Sequence, residues 1–208
     1  MGALAGSLTF TRFFVRGELP ERFRDRFVES IRLRTFEPLT PESEDQEHFG
    51  WCAVGRVLDL DLDHEKVFYN SYVNLGLRMD RWRVPGTLLR AHLADAEQEA
   101  LAKSGREKLG KREKAELKAR IITRLRKKLM PSMKVVDMSW NLDSGVVRFF
   151  NQSPRVHEQF MALFEKTFSL ELTADSPYIS AERLGLREAE LHALSGVEAS
   201  TLGGRRRG

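Results

Sequence analysis

The sequence is poor in several things that would have settled its class early. It holds a single cysteine, Cys52. That excludes a disulfide scaffold and any cysteine-based zinc knuckle, and it suits a reducing compartment. No apolar run approaches the roughly 18 residues of a membrane helix. The opening Met1-Gly2-Ala3-Leu4-Ala5-Gly6-Ser7 lacks the basic flank of a signal peptide. Gly6 stands where a myristoylation signal needs Ser or Thr, so no lipid anchor is expected. Histidines number five and are scattered, and net charge is only +4. What the sequence does have is 13 Phe and 3 Trp among 208 residues, which need an interior. With charged residues at 31%, this is a charged globular chain rather than a disordered one.

Along the chain, Leu8–Arg16 reads as a strand, and Pro20 opens a helix to about Thr35 with Phe23, Phe27 and Ile31 on one stripe. An acidic loop, Glu42–Glu47, follows Pro38 and Pro41. Gly50–Leu62 reads as extended, and Val67–Arg83 as the clearest strand region. In it Val73, Leu75, Leu77 and Met79 point to a core, while Asn74, Gly76, Arg78 and Asp80 point away. Pro85 ends that pattern.

Two helices come next. The first carries Leu88, Leu89, Leu93, Ala96 and Ala100. The second runs from about Lys111 to Met130 with Leu117, Ile121, Leu125 and Leu129 as its stripe. Joined through Ser104-Gly105 and Gly110, they predict a projecting helical hairpin. Met133–Leu142 and Val146–Phe150 predict strands about an Asp143-Ser144-Gly145 turn. Ser153, as cap, and Pro154 open a helix with Val156, Phe160, Leu163, Phe164 and Phe168 inside. Leu170–Thr173 is a last strand, Arg187–Leu194 a short helix, and Gly203–Gly208 a basic tail. The expected fold is α+β: an antiparallel-rich sheet packed with helices, with an inserted helical-hairpin arm. Its parts are a discontinuous sheet domain over 1–84 and 132–175, the arm over 85–131, and a C-terminal segment over 176–208.

Charge is concentrated on the arm. From Lys103 to Lys134 stand thirteen cations: Lys103, Arg106, Lys108, Lys111, Arg112, Lys114, Lys118, Arg120, Arg124, Arg126, Lys127, Lys128 and Lys134. Only Glu107, Glu113 and Glu116 oppose them, a net +10, and against the chain's +4 this leaves −6 for all other residues. At about 100° per residue, Arg120, Arg124, Arg126 and Lys127 fall outside the apolar arc of the second helix. Such a surface suits phosphates, with Arg78, Arg81 and Arg83 extending it. Nothing marks it as sequence-specific: no zinc finger, RNA-recognition aromatic motif or helix-turn-helix is present.

Other patterns carry less. Gly105-Arg106-Glu107-Lys108-Leu109-Gly110-Lys111-Arg112 imitates a P-loop, but Arg112 replaces the magnesium-holding Ser or Thr, and an inter-helix turn explains it. Asp59, Asp61 and Asp63 alternate with Leu58, Leu60 and Leu62. They would suit a divalent metal of a nuclease, or simply a strand with a polar outer face; His64 and Asn70 fail the EF-hand pattern. His64-Glu65 and His157-Glu158 start zinc-protease motifs that Phe68 and Met161 break. His92 and Cys52 read as packed side chains, Asn151-Gln152-Ser153 as a sequon without consequence, and Trp82 and Trp140 as packing aromatics rather than base-stacking ones. No catalytic constellation or cofactor motif emerges.

Several segments together resemble a family. Trp82-Arg83-Val84-Pro85 leads into the helix pair, followed by Glu113-Lys114-Ala115-Glu116-Leu117-Lys118 and Leu129-Met130-Pro131. Then come Ser139-Trp140-Asn141, Gly145 in the turn, Ser153 opening a helix, and Leu163-Phe164-Glu165-Lys166-Thr167-Phe168 closing it, with Gly50-Trp51 upstream. In order and spacing these resemble the RdgC family of recombination-associated proteins, over about Gly50 to Thr173 and loosely before. The resemblance implies a non-enzymatic protein of the cytoplasm and nucleoid. It would dimerise into a ring around duplex DNA, bind with little sequence preference and hinder the RecA recombinase by occupying DNA. It also implies a sheet domain, a helical tip that makes one dimer contact and a base domain that makes the other. The chain departs from the family beyond Asp175, where the base domain should follow. It departs again in an extra helical turn carrying Arg126, Lys127 and Lys128, and in Ser132, Met133 and Lys134, where a basic and an aromatic residue are expected. Two other readings stand beside it: an assembly protein whose arm docks an acidic partner or a second copy, and a metal-dependent nuclease using Asp59, Asp61 and Asp63.

Overall fold

A computed structural model describes Gly2 and residues 9–197. The chain runs β1 (Thr11–Arg16), α1 (Phe23–Arg32), β2 (Glu47–Cys52), α2 (His64–Val67), β3 (Phe68–Tyr69), β4 (Tyr72–Arg81), α3 (Gly86–Ser104) and α4 (Lys111–Arg126). It continues β5 (Ser132–Asn141), β6 (Val146–Phe149), α5 (Pro154–Phe168), β7 (Glu171–Ala174), α6 (Pro177–Arg183) and α7 (Glu188–Ser195). The strands form one antiparallel sheet in the order β2-β4-β5-β6-β1-β7, with β3 also paired to β4. The fold is therefore α+β with an antiparallel sheet, as the hydrophobic pattern predicts. No helix among the described residues is long and apolar enough to cross a membrane.

One sheet face and the helices α1 and α5 enclose the core. Alternation along β5 and β6 sends Val136, Met138, Trp140, Val147 and Phe149 inward. The α5 stripe meets them: Phe149 stacks on Phe160 at 4.0 Å, Trp140 meets Phe164 at 5.2 Å and Phe168 at 5.3 Å, and Phe27 of α1 meets Phe168 at 4.8 Å. Aromatic pairs in such edge and stacked geometries add about 0.5–1.5 kcal/mol each beyond burial. One polar link ties strand to helix inside this core. Trp51 Nε1–H donates to Thr167 Oγ1 at 2.9 Å, whose hydroxyl donates to the Leu163 carbonyl.

Several local expectations are corrected. The Leu8 start of β1 lies outside the described residues, and so does the basic tail Gly203–Gly208. The first helix begins at Phe23, not Pro20, because Arg22 takes a left-handed backbone, φ 52°. Gly50–Leu62 is not extended throughout. The strand ends at Cys52, and the chain turns back at Gly55, φ 74°, with Asp59 N–H bonded to the Arg56 carbonyl and Ala53 N–H to that of Asp59. Val67–Arg83 is not one strand, since Asn70 at φ 52° turns β3 into β4. The second arm helix stops at Arg126, and turn residues lead to Pro131. Ser153 occupies the cap position of α5 but its side chain makes no capping bond; Asn151 Oδ1 accepts the Ser153 N–H instead. The helix α6 has no counterpart in the sequence reading.

The outer sheet face is also more covered than the alternation suggests. Arg78 and Asp80 point away from the main core, yet they are 8% and 3% exposed. They form a two-pronged ion pair, Nη2 to Oδ2 at 2.7 Å and Nε to Oδ1 at 3.0 Å, with the Arg78 guanidinium 4.1 Å over the Phe36 ring. The loop carrying Phe36 also approaches β2, where a Cβ on Gly50 would lie 2.6 Å from Phe36 Cα. Gly50→Ala should therefore destabilise by roughly 1–3 kcal/mol, since backbone cannot yield as a side-chain tip can. Denaturant midpoints at unchanged m-value would show it.

Candidate nucleic-acid interface

The arm is an insertion between β4 and β5. These strands pair over their whole lengths, from Tyr72 opposite Asn141 to Arg81 opposite Ser132, so the chain leaves and re-enters the sheet at adjacent points. Within the arm, α3 has no buried residue, while α4 buries Ile121 and Leu125 of the expected stripe. Leu117 and Leu129 are only half-buried.

Local chemistry fixes the tip. Gly105 closes α3 in the left-handed region at φ 65°, its N–H bonded to the Leu101 carbonyl. Glu113 Oε2 reaches back to accept the Gly110 N–H at 2.8 Å, and its other oxygen takes Arg106 Nη2 at 2.6 Å. Those bonds hold the Glu113 carboxyl below its usual range, the Arg106 guanidinium foremost. Lys114 bridges to Glu97 of α3 at 3.3 Å. At the root, Arg126 Nη1 donates to the Ser43 carbonyl at 2.6 Å and its guanidinium lies 5.6 Å from the Trp82 ring centre. Lys127 pairs with Glu42 at 2.8 Å. The acidic loop before β2 thus serves as the arm's seat, with Trp82 N–H bonded to the Gln46 carbonyl.

The sequence-selected cations separate into three groups. Arg106, Arg112, Lys114 and Lys127 are in ion pairs with Glu113, Glu116, Glu97 and Glu42. Arg126, expected on the outer face, is 7% exposed and is a wall of the arm's root, not a surface cation. The signal for this was Ile122, four residues earlier, which widens the apolar face toward it. Arg78 is likewise removed from any surface by Asp80. The rest, Lys103, Lys108, Lys111, Lys118, Arg120, Arg124, Lys128, Lys134, Arg81 and Arg83, are exposed and form no ion pair among the described residues. Three of them converge: Lys103 of α3 and Arg120 and Arg124 of α4 line one groove of about 440 Å³ between the helices, floored by Ala96, Ala100 and Leu117, with Glu99 its one acid. On its outer side α4 presents Arg120, Arg124 and Lys127 again around Thr123.

The three aspartates do not lie on a strand. They surround Lys66, whose Nζ is 3.1 Å from Asp59, 3.5 Å from Asp61 and 3.9 Å from Asp63. Asp63 also caps α2 by accepting the Lys66 N–H. An ammonium thus sits where a metal would, and no metal-binding cluster occurs among the described residues. His64 belongs to Asp25, 3.2 Å away. Cys52 is enclosed, and burial pushes its thiol up to about 12, so it is not a nucleophile at neutral pH.

No protein-family model matches the chain, and no curated protein matches it.

The lysine hub has a pH signature. The Lys66 hydrogen bond lowers the Asp59 carboxyl and raises the Lys66 ammonium. A depressed carboxyl stabilises the fold above its unfolded value of about 3.9, and that contribution is lost as pH falls through the lower folded value. Asp59→Asn should therefore lose less stability than the wild type between pH 5 and the acid limb, as followed by denaturant titration at each pH.

Proposed function

We propose that the protein binds DNA through its helical arm, without sequence preference, and acts by occupying duplex rather than by chemistry. One observation carries this reading: Lys103, Arg120 and Arg124 crowd one groove with no carboxylate paired to any of them. Arg120 and Arg124 are also four residues apart on one helix face, where like charges cost about 0.2–0.5 kcal/mol. A polyanion turns that repulsion into attraction and releases counterions in doing so. Arg81, Arg83, Lys111, Lys118, Lys128 and Lys134 extend the same positive character along the arm and its root.

The resemblance to RdgC supports the reading and narrows it to modulation of recombination or repair by obstructing a recombinase, with self-association as a dimer. The aspartate cluster speaks against a nuclease, because Lys66 neutralises the site a metal would take. Contacts to phosphates position without reading bases, which fits an arm with no recognition motif.

Fluorescence anisotropy with a labelled duplex across a salt series tests this. The triple variant Lys103→Glu/Arg120→Glu/Arg124→Glu should weaken binding and reduce the slope of log K on log salt by about 3, near one for each cation removed. Lys127→Glu, which loses an ion pair rather than a free cation, should change the slope less. An unchanged slope in the triple variant excludes the groove as the DNA surface. Absence of duplex binding at low salt sinks the reading and turns the arm into a dock for an acidic protein.

A further inference from the structure

The arm's root holds a second basic cleft, of about 460 Å³, distinct from the groove near mid-arm. Gln46, Arg81, Trp82 and Arg83 wall it on the sheet side, Leu89 and Arg126 on the arm side, and none of its lining residues is acidic. Arg81 and Arg83 are exposed and form no ion pair among the described residues.

The same lining holds two buried side chains with unpaired donors. Trp82 and Arg126 are 8% and 7% exposed. Two of their donors, Trp82 Nε1–H and Arg126 Nε–H, are buried with no hydrogen-bond partner among the described residues. A third such donor, on Trp140, lies in the aromatic core away from this cleft. Buried donors are rarely left unpaired, because each has given up water for nothing. Arg126 is more unusual still. A buried guanidinium normally faces a carboxylate, yet here its partners are the Ser43 carbonyl and the Trp82 ring, while the nearby Glu42 is engaged by Lys127.

We propose that this cleft is a binding site for a phosphoryl group. Three arginines line the cleft with no acid beside them, and guanidinium forks match an anion with several oxygens. A free phosphate and a backbone phosphate of nucleic acid share that chemistry. The site stands on the geometry of the arm's root and does not depend on the mid-arm groove binding DNA.

The indole N–H signals of the ¹⁵N-labelled full chain read it directly, because Trp82→Phe assigns the one signal in the cleft. Titration with inorganic phosphate at constant ionic strength should move the Trp82 signal to saturation while those of Trp51 and Trp140 stay put. Arg81→Gln/Arg83→Gln, both at exposed positions, should weaken the response about tenfold or more with the other two signals unchanged. If only a duplex moves the signal, the site takes backbone phosphate alone. Equal movement with chloride, or no movement with either probe, overturns the site. Duplex binding by anisotropy with a Trp82 signal static to duplex and to phosphate overturns the cleft and leaves the mid-arm groove as the DNA surface. A phosphate response without duplex binding does the reverse.

Discussion

The pairing of β4 with β5 is the constraint from which the rest follows. Ten residues of each strand lie in continuous antiparallel register. On the inner side that register aligns Val73 with Trp140 and Leu75 with Met138, which sets the floor on which the α5 aromatics stack. On the outer side it places Arg78 and Asp80 under the Phe36 loop. At its end it brings Arg81 and Ser132 together, and so defines where the arm can start and finish. A slip of β5 by one residue against β4 would reverse the faces of β5, exposing Trp140 and burying Ser139, and would shift the arm's root relative to the Ser43 seat.

The arm obeys a different balance. Its apolar seam is thin, with Ile121 and Leu125 the only buried hydrophobic residues in either helix. Electrostatics therefore does much of the shaping. Four of its cations are committed to carboxylates; three of these pairs fall at structural joints, the tip turn, the bridge between helices and the root, and Arg112–Glu116 lies along α4. Exposed pairs of this kind contribute little stability individually, about 0–1 kcal/mol. Their effect is to leave the uncommitted cations on the remaining surface.

Where periodicity was strong, the sequence could be read. The α5 stripe, the Asp143-Ser144-Gly145 turn and the helical hairpin with its charge are all visible in residue spacing. The failures share a physical origin: tertiary partners overrode local pattern. Asp59, Asp61 and Asp63 alternate as a strand would, but a lysine seven residues beyond Asp59 gathers them into a loop. Arg78 and Asp80 look like a solvated face because an alternation pattern cannot show that two opposite charges will bury each other. Arg126 looks like one more surface cation, since nothing local announces Trp82, 44 positions back, as its platform. In the candidate site the charge was legible and its division into paired, buried and free members was not.

Anchoring at one end makes the arm a lever. Nineteen residues of α3 at 1.5 Å each make a helix about 28 Å long. A tilt of 10° at the root then carries the tip through about 5 Å, more than the roughly 3.4 Å axial step between phosphates on one strand. The few atoms joining Arg126 to Ser43 and Trp82 therefore set the angular precision with which the distant cations are held, the quantity that matters on the proposed reading of the arm. Small changes at that joint are magnified along the arm's length, whereas changes near the tip stay local.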